Sequence, residues 1–194
     1  MMIKICGMTN REDAVAAADA GATALGFNFY PQSPRYITPE HAAAIGSGLS
    51  VLKVGVFVDE PPARIKEIAR AARLDIAQLH GSERPDQMPD LPVWKAFRAT
   101  IDWTPDLFDS YKADAYLLDG VEPGSGQVFC WKKAEALRYR IILAGGLDET
   151  NVGEAIRTLD LWGVDACSRL ERAPGLKDHQ KMLRFVKAAR GYLS

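Results

Sequence analysis

The sequence predicts an α/β fold, a (β/α)8 barrel built as one domain over residues 1–194, with one or two shortened helices. Short apolar runs rich in β-branched residues recur at intervals of roughly twenty to thirty residues. Most of the intervals carry apolar residues at helical spacing. No Gly/Ser-rich or charged linker divides the chain, and 194 residues suffice for one hydrophobic core. Alternating strand and helix implies a parallel sheet with right-handed crossovers. Eight such units without a break favour closure into a barrel over an open doubly wound sheet.

The strands are expected at Ile3 to Cys6, Ala24 to Asn28, Leu52 to Val58, Asp75 to Leu79, Val93 to Ala96, Ala115 to Asp119, Ile141 to Ala144 and Gly163 to Cys167. Between them, Arg11 to Ala20 and Pro61 to Ala72 repeat apolar residues at helical spacing, and Pro39 and Pro61 are placed to open helices, with Thr38 and Glu60 at their starts. Thr150 to Leu159 and His179 to Ala189 form the last two helices. Arg98 to Ala113 is the weakest interval, where Trp103, Thr104-Pro105 and Phe108 suggest a short or irregular connection. Dividing 194 by eight leaves about twenty-four residues per unit, little for this fold, so truncated helices are expected.

The formal net charge of -1, with both signs mixed along the chain, offers no basic surface for nucleic acid or anionic membranes. Met1 to Gly7 lacks the apolar core of a signal peptide and no later run has the length of a membrane span, so the expected location is the cytoplasm. Cys6, Cys130 and Cys167 show neither a CxxC pair nor a histidine cluster, which reads as free thiols without a metal.

In a (β/α)8 barrel the reacting groups stand at the C-terminal ends of the strands. That rule selects Cys6, Asn28, Asp59, His80, Asp119, Gly145-Gly146 and Ser168. Cys6 ends an apolar strand before Gly7, and a thiol there serves as a base if a cation or aligned amides lower its pKa; its plain reading is a small packed apolar side chain. Asp119 closes Tyr116-Leu117-Leu118-Asp119, where burial would raise its pKa and keep it protonated as an acid; a loop-capping role is the plain alternative. Gly145-Gly146 and the segment after strand eight with Ser168 occupy the positions where barrels bind phosphate through backbone N–H groups. Arg35, in a proline-stiffened loop, suits a bidentate contact with a carboxylate. His80 reads as a hydrogen-bonded structural histidine or a ligand contact, and Asp165 at the close of strand eight joins the substrate-binding candidates. Glu122-Pro123-Gly124-Ser125-Gly126-Gln127 has the composition of a flap and lacks the ending of a Walker loop.

These residues fall in stretches that resemble the phosphoribosylanthranilate isomerase family over nearly the whole chain. The stretches are Lys4 to Thr9, Gly26 to Tyr30 with Ser33-Pro34-Arg35-Tyr36, Val54 to Val58, Gln78-Leu79-His80-Gly81, Leu117-Leu118-Asp119, Ala144 to Leu147 with Asn151-Val152, and Pro174 to Asp178. The resemblance implies an Amadori rearrangement with Cys6 as general base, Asp119 as general acid, Arg35 on the anthranilate carboxylate and the loops after strands seven and eight on the phosphate. Asp119 would protonate the ribose ring oxygen to open the sugar to a Schiff base, and the Cys6 thiolate would take the C2′ proton. Only protons move, so neither metal nor organic cofactor is implied, and the partner is a small phosphorylated substrate. The chain would act as a monomer or homodimer.

Two segments depart from the family. Ala166-Cys167-Ser168-Arg169-Leu170-Glu171 stands where Val-Ser-Ser-Gly-Val-Glu is usual, so Arg169 either crowds the phosphate or adds a cation to it. Cys130 replaces an aspartate before Trp131 and is a poor helix cap. Three other functions fit the barrel: the related isomerase of histidine synthesis, which uses an aspartate where Cys6 stands and has two similar halves; a Schiff-base aldolase on Lys95; and a silent phosphate-binding barrel.

Overall fold

The computed structural model describes residues 1–98, 105–120, 139–159 and 161–191. Eight parallel strands, β1 (Met2–Ile5), β2 (Ala24–Asn28), β3 (Leu52–Phe57), β4 (Ile76–Leu79), β5 (Val93–Arg98), β6 (Ala115–Asp119), β7 (Ile141–Leu143) and β8 (Gly163–Ala166), close into a barrel in sequence order. β8 pairs back onto β1 with Lys4 beside Asp165 and Ile5 beside Ala166. Around it lie α1 (Arg11–Ala20), α2 (Pro39–Gly46), α3 (Pro62–Ala72), α4 (Pro105–Asp109), α5 (Val152–Thr158) and α6 (His179–Gly191), and a short hairpin, β9 (Glu171–Ala173) with β10 (Leu176–Lys177), follows β8. Among the described residues no helix is long and apolar enough to cross a membrane.

The helix ends show why these segments form where they do. Asn10 caps α1 by accepting from the Asp13 N–H, and Thr38 does the same for α2 from His41, with Pro39 at the first helical position. α3 starts one residue later than the sequence suggests, because Pro61 is its cap and Glu60 makes no cap bond there. α5 begins at Val152 and not at Thr150: the Asp148 carboxylate accepts from the Thr150 N–H while Asn151 accepts from Asp148, which makes a turn of the expected first residues. The expected short connection before β6 contains α4, only five residues long. Aromatic side chains fill the space beside it, with the buried Phe108 ring 5.2 Å from Phe97 and 4.6 Å from Tyr116. Trp103, Thr104, Cys130 and the Glu122 to Gln127 segment lie outside the described residues.

Strand periodicity sorts side chains into two cores. Ile3, Ile5, Leu25, Phe27, Leu79, Leu118, Leu143 and Val164 face the helices. Their alternates Ala24, Val54, Ile76, Trp94, Ala115, Leu117 and Ile142 fill the barrel interior with Met2 and Trp162 packed against them, and the Trp94 and Trp162 rings meet edge-on at 5.8 Å. Moving up the same inward rows, the apolar layer gives way to Lys4 on β1 with Cys6 just past its end, Gln78 on β4 with His80 just past it, Asp119 on β6, and Asp165 on β8 with Cys167 just past it. The barrel is therefore greasy at its base and polar at its mouth.

Candidate active site

The mouth is a cleft lined by Cys6, Asn28, Arg35, Gln78, His80, Asp119, Gly145, Gly146, Asp165, Cys167, Ser168 and Arg169. Every residue expected to act on substrate or phosphate is brought to this one place. Asp59 is not: its N–H donates to Glu83 and its carboxylate accepts from the Ser82 N–H, so it ties the loops after β3 and β4 together.

Cys6 sits in a cluster of cations that sequence reasoning missed. Lys4, fully buried two residues earlier on β1, donates to Asp165 at 2.9 Å. Lys177 on β10, also buried, pairs with Glu171 at 2.9 Å, and the Arg35 fork meets the same carboxylate at 2.9 and 2.6 Å. Glu171 alone between two cations leaves positive charge, and the Cys6 sulfur is placed to answer it. A hydrogen bond from the Cys167 thiol lowers the Cys6 pKa most; burial opposes, but Lys4 and Lys177 add to the lowering, so the group sits well below the ordinary thiol range. Burial works against the Lys4 charge, yet Asp165 and Cys6 outweigh it and hold that lysine above its usual range. Asp165 is pushed up to about 7 by burial against the pull of Lys4, and its Oδ1 has no hydrogen-bond partner among the described residues. The charge inside the apolar run Ile3-Lys4-Ile5 was the available signal for Lys4, since a cation at an inward strand position must have a partner.

Asp119 corrects one expectation. Its carboxylate accepts from His80 Nε2 at 3.1 Å, and that hydrogen bond outweighs burial and draws the pKa below the usual carboxylate range. The resting group is thus ionised and not held protonated. Gln78 Nε2 stands 3.0 Å from His80 Nδ1. His80 is therefore hydrogen-bonded on both nitrogens and also lines the cleft, so the two readings of it coincide.

Gly145 (φ +93°) and Gly146 (φ +65°) turn the chain after β7. A Cβ on Gly145 would lie 2.5 Å from the Gly120 nitrogen and 3.0 Å from Asp119 Oδ1, so only glycine lets this loop close on the acid. Asn151 steadies the turn by donating to the Gly146 carbonyl at 2.9 Å. Among the described residues the N–H groups of Gly145, Gly146 and Ser168 have no acceptor, and the exposed Arg169 joins them at the rim. Lys95 lies elsewhere: its side-chain nitrogen donates to the Leu79 and Gly81 carbonyls and to Glu83 at 2.8 Å, away from the cleft, which does not suit a Schiff-base lysine. Among the described residues there is no group of three or more His, Cys, Asp or Glu that could hold a metal ion.

A family model described as N-(5'phosphoribosyl)anthranilate (PRA) isomerase matches residues 3–188. The N-(5'-phosphoribosyl)anthranilate isomerase of Solibacter usitatus is 53% identical over 198 residues, covering 100% of this chain and 99% of that protein. Among solved structures, the phosphoribosyl anthranilate isomerase of Thermus thermophilus is 40% identical with a TM-score of 0.89, covering 98% of this chain and 99% of its own. Another phosphoribosyl anthranilate isomerase, in complex with reduced 1-(o-carboxyphenylamino)-1-deoxyribulose 5-phosphate, is 35% identical with a TM-score of 0.83, with the same coverage of 98% and 99%.

Proposed function

The chain belongs to the N-(5'-phosphoribosyl)anthranilate isomerase family, and we infer from that membership and from the cleft that it converts N-(5′-phosphoribosyl)anthranilate to 1-(2-carboxyphenylamino)-1-deoxyribulose 5-phosphate in tryptophan biosynthesis. The observation that carries the reading to individual residues is a thiol with a strongly lowered pKa, Cys6, sharing one cleft with a carboxyl group, Asp119, on β6. Cys6 is the general base for the C2′ proton, and the lowering of its pKa toward the thiolate suits that role. Asp119 is the general acid for the ribose ring oxygen. Because it rests as a carboxylate, it must gain its proton when the substrate's own anionic groups enter and displace water, a change that favours the neutral form.

The phosphate is assigned to the N–H groups of Gly145, Gly146 and Ser168, with Arg169 adding a cation at the rim. Arg35 already spends its fork on Glu171, so the anthranilate carboxylate is assigned to its remaining N–H groups. His80 and Asp165 complete the substrate contacts. The rearrangement moves protons alone, and the reading invokes no cofactor. It takes residues 1–194 as one catalytic domain acting in the cytoplasm as a monomer or homodimer, without nucleic acid.

Phosphoribosylanthranilate generated in situ tests the activity: its fluorescence is expected to disappear rapidly with this protein, and failure to turn it over would sink the assignment. Binding of the reduced ketose product at pH 8 is expected to take up about one proton through Asp119. Calorimetry in buffers of different ionisation enthalpy reads that uptake, which should vanish in Asp119→Asn; equal uptake in both proteins would remove Asp119 as the acid.

A further inference from the structure

Cys167 moves no substrate proton and is assigned no substrate contact in the mechanism above, yet the closure of the barrel sets it beside Cys6. The β1–β8 register pairs Lys4 with Asp165 and Ile5 with Ala166, and Cys6 continues it by donating its N–H to the Ala166 carbonyl at 2.9 Å. The next pair up is Cys6 with Cys167. Both project inward, in the same rows as Lys4 and Asp165, and both line the cleft half-buried, within reach of a small solute. Neighbouring strands lie about 4.8 Å apart, inside the roughly 4.4–6.8 Å separation of Cα atoms that a disulfide spans. The Cys167 thiol points into the same charged cluster, donating to Glu171 Oε1 at 4.0 Å and accepting from Lys177 Nζ at 3.8 Å. Gly7 leaves room for the Cys167 sulfur beside the end of the first strand, since a Cβ there would lie 3.0 Å from it.

We propose that Cys6 and Cys167 are a peroxide-responsive redox pair, in which Cys6 is oxidised first and Cys167 resolves it to a disulfide that reversibly shuts off the enzyme. In the first step the Cys6 thiolate attacks a hydroperoxide oxygen. The S–O bond forms as the O–O bond breaks, and hydroxide or alkoxide leaves. In the second, Cys167 gives its proton to that base and its sulfur attacks Cys6, the S–S bond forming as the S–O bond breaks and hydroxide departs. Two electrons from the two sulfurs have then reduced one peroxide, and an external dithiol restores both by exchange.

The surrounding charges suit this order. At rest the two sulfurs share one negative charge, held on Cys6, so the Cys167 thiol is pushed far up and stays protonated. Forming the neutral sulfenic acid removes that charge. Lys177, whose ammonium lies 3.8 Å from the Cys167 sulfur, then favours ionisation of the resolving thiol.

The inference stands on the thiol pair and not on the substrate, so thiol counts and masses read it whether or not phosphoribosylanthranilate is turned over. Hydrogen peroxide added to the intact reduced protein is expected to remove two of its three thiols, to yield a Cys6–Cys167 linked peptide on proteolysis with Cys130 still free, and to abolish turnover until dithiothreitol restores it. Cys167→Ser under the same excess of peroxide should lose its turnover without recovery, with Cys6 carried to the sulfinic acid. Survival of both thiols, linkage through Cys130, or a sulfinic Cys6 in the unmodified sequence would overturn the proposal.

Discussion

Cys6→Ser is expected to lower kcat on phosphoribosylanthranilate by on the order of 10³-fold while the barrel stays folded. The substitution changes one atom and keeps the size of the group, so packing at the strand end is conserved. What it removes is ionisation. Lys4, Lys177 and the Cys167 hydrogen bond bring a thiol into its anionic form well below the ordinary thiol range, whereas a hydroxyl starts so much higher that the same cluster leaves it protonated. The reaction then lacks a base, although the carboxylate and phosphate contacts are intact, so KM should move much less than kcat. Stopped-flow fluorescence gives both constants, and circular dichroism checks the fold. In the parent protein, kcat/KM should stay level down to a pH well below the usual thiol pKa. A folded Cys6→Ser protein within tenfold of the parent rate would remove Cys6 from the role of base.

The barrel was legible because short apolar runs rich in β-branched residues recur along the chain, with helical apolar stripes such as Arg11 to Ala20 and Pro61 to Ala72 between them. Strand ends moved by no more than two residues, since a strand stops where its ladder partner stops and that partner lies in a different unit. Position at a strand end also located the cleft residues one by one. Their mutual charges were not legible. Burial alone would raise the pKa of Asp119; the hydrogen bond that reverses the shift comes from His80, just past β4, and becomes visible only once β4 and β6 face one another across the mouth. Arg35 read as a free fork because Glu171, which occupies it, lies 136 residues further on. The same is true of Lys4 and Asp165, which are 161 residues apart and meet only where β8 closes on β1.

That closing pair supplies the second large effect. Lys4→Met keeps the length of the side chain and deletes its charge, leaving Asp165 buried with neither oxygen partnered, since Oδ1 already has none. Breaking a buried ion pair by removing one member costs about 3–5 kcal/mol. Here the loss depends on pH in a definite sense. Asp165 has its folded pKa raised to about 7 even beside Lys4, and without the cation it is raised further. A carboxyl group whose folded pKa lies above its unfolded value contributes stability that is present below the unfolded pKa and lost as pH rises through the folded one. Near pH 5 the variant therefore holds Asp165 neutral and is only modestly weakened; at pH 8 to 9 it carries the full cost. Urea melts of parent and variant at the two pH values measure the difference, which should widen with pH. Adding Asp165→Asn should recover most of the stability at pH 8, because an amide has no charge to strand. Activity gives an independent reading: with the nearest cation gone, the acid limb of kcat/KM should move to higher pH as Cys6 becomes harder to ionise, and the double variant should not move it back. If Lys4 served only to fill the barrel, methionine would fill it as well, and neither the widening with pH nor the displaced limb would be seen.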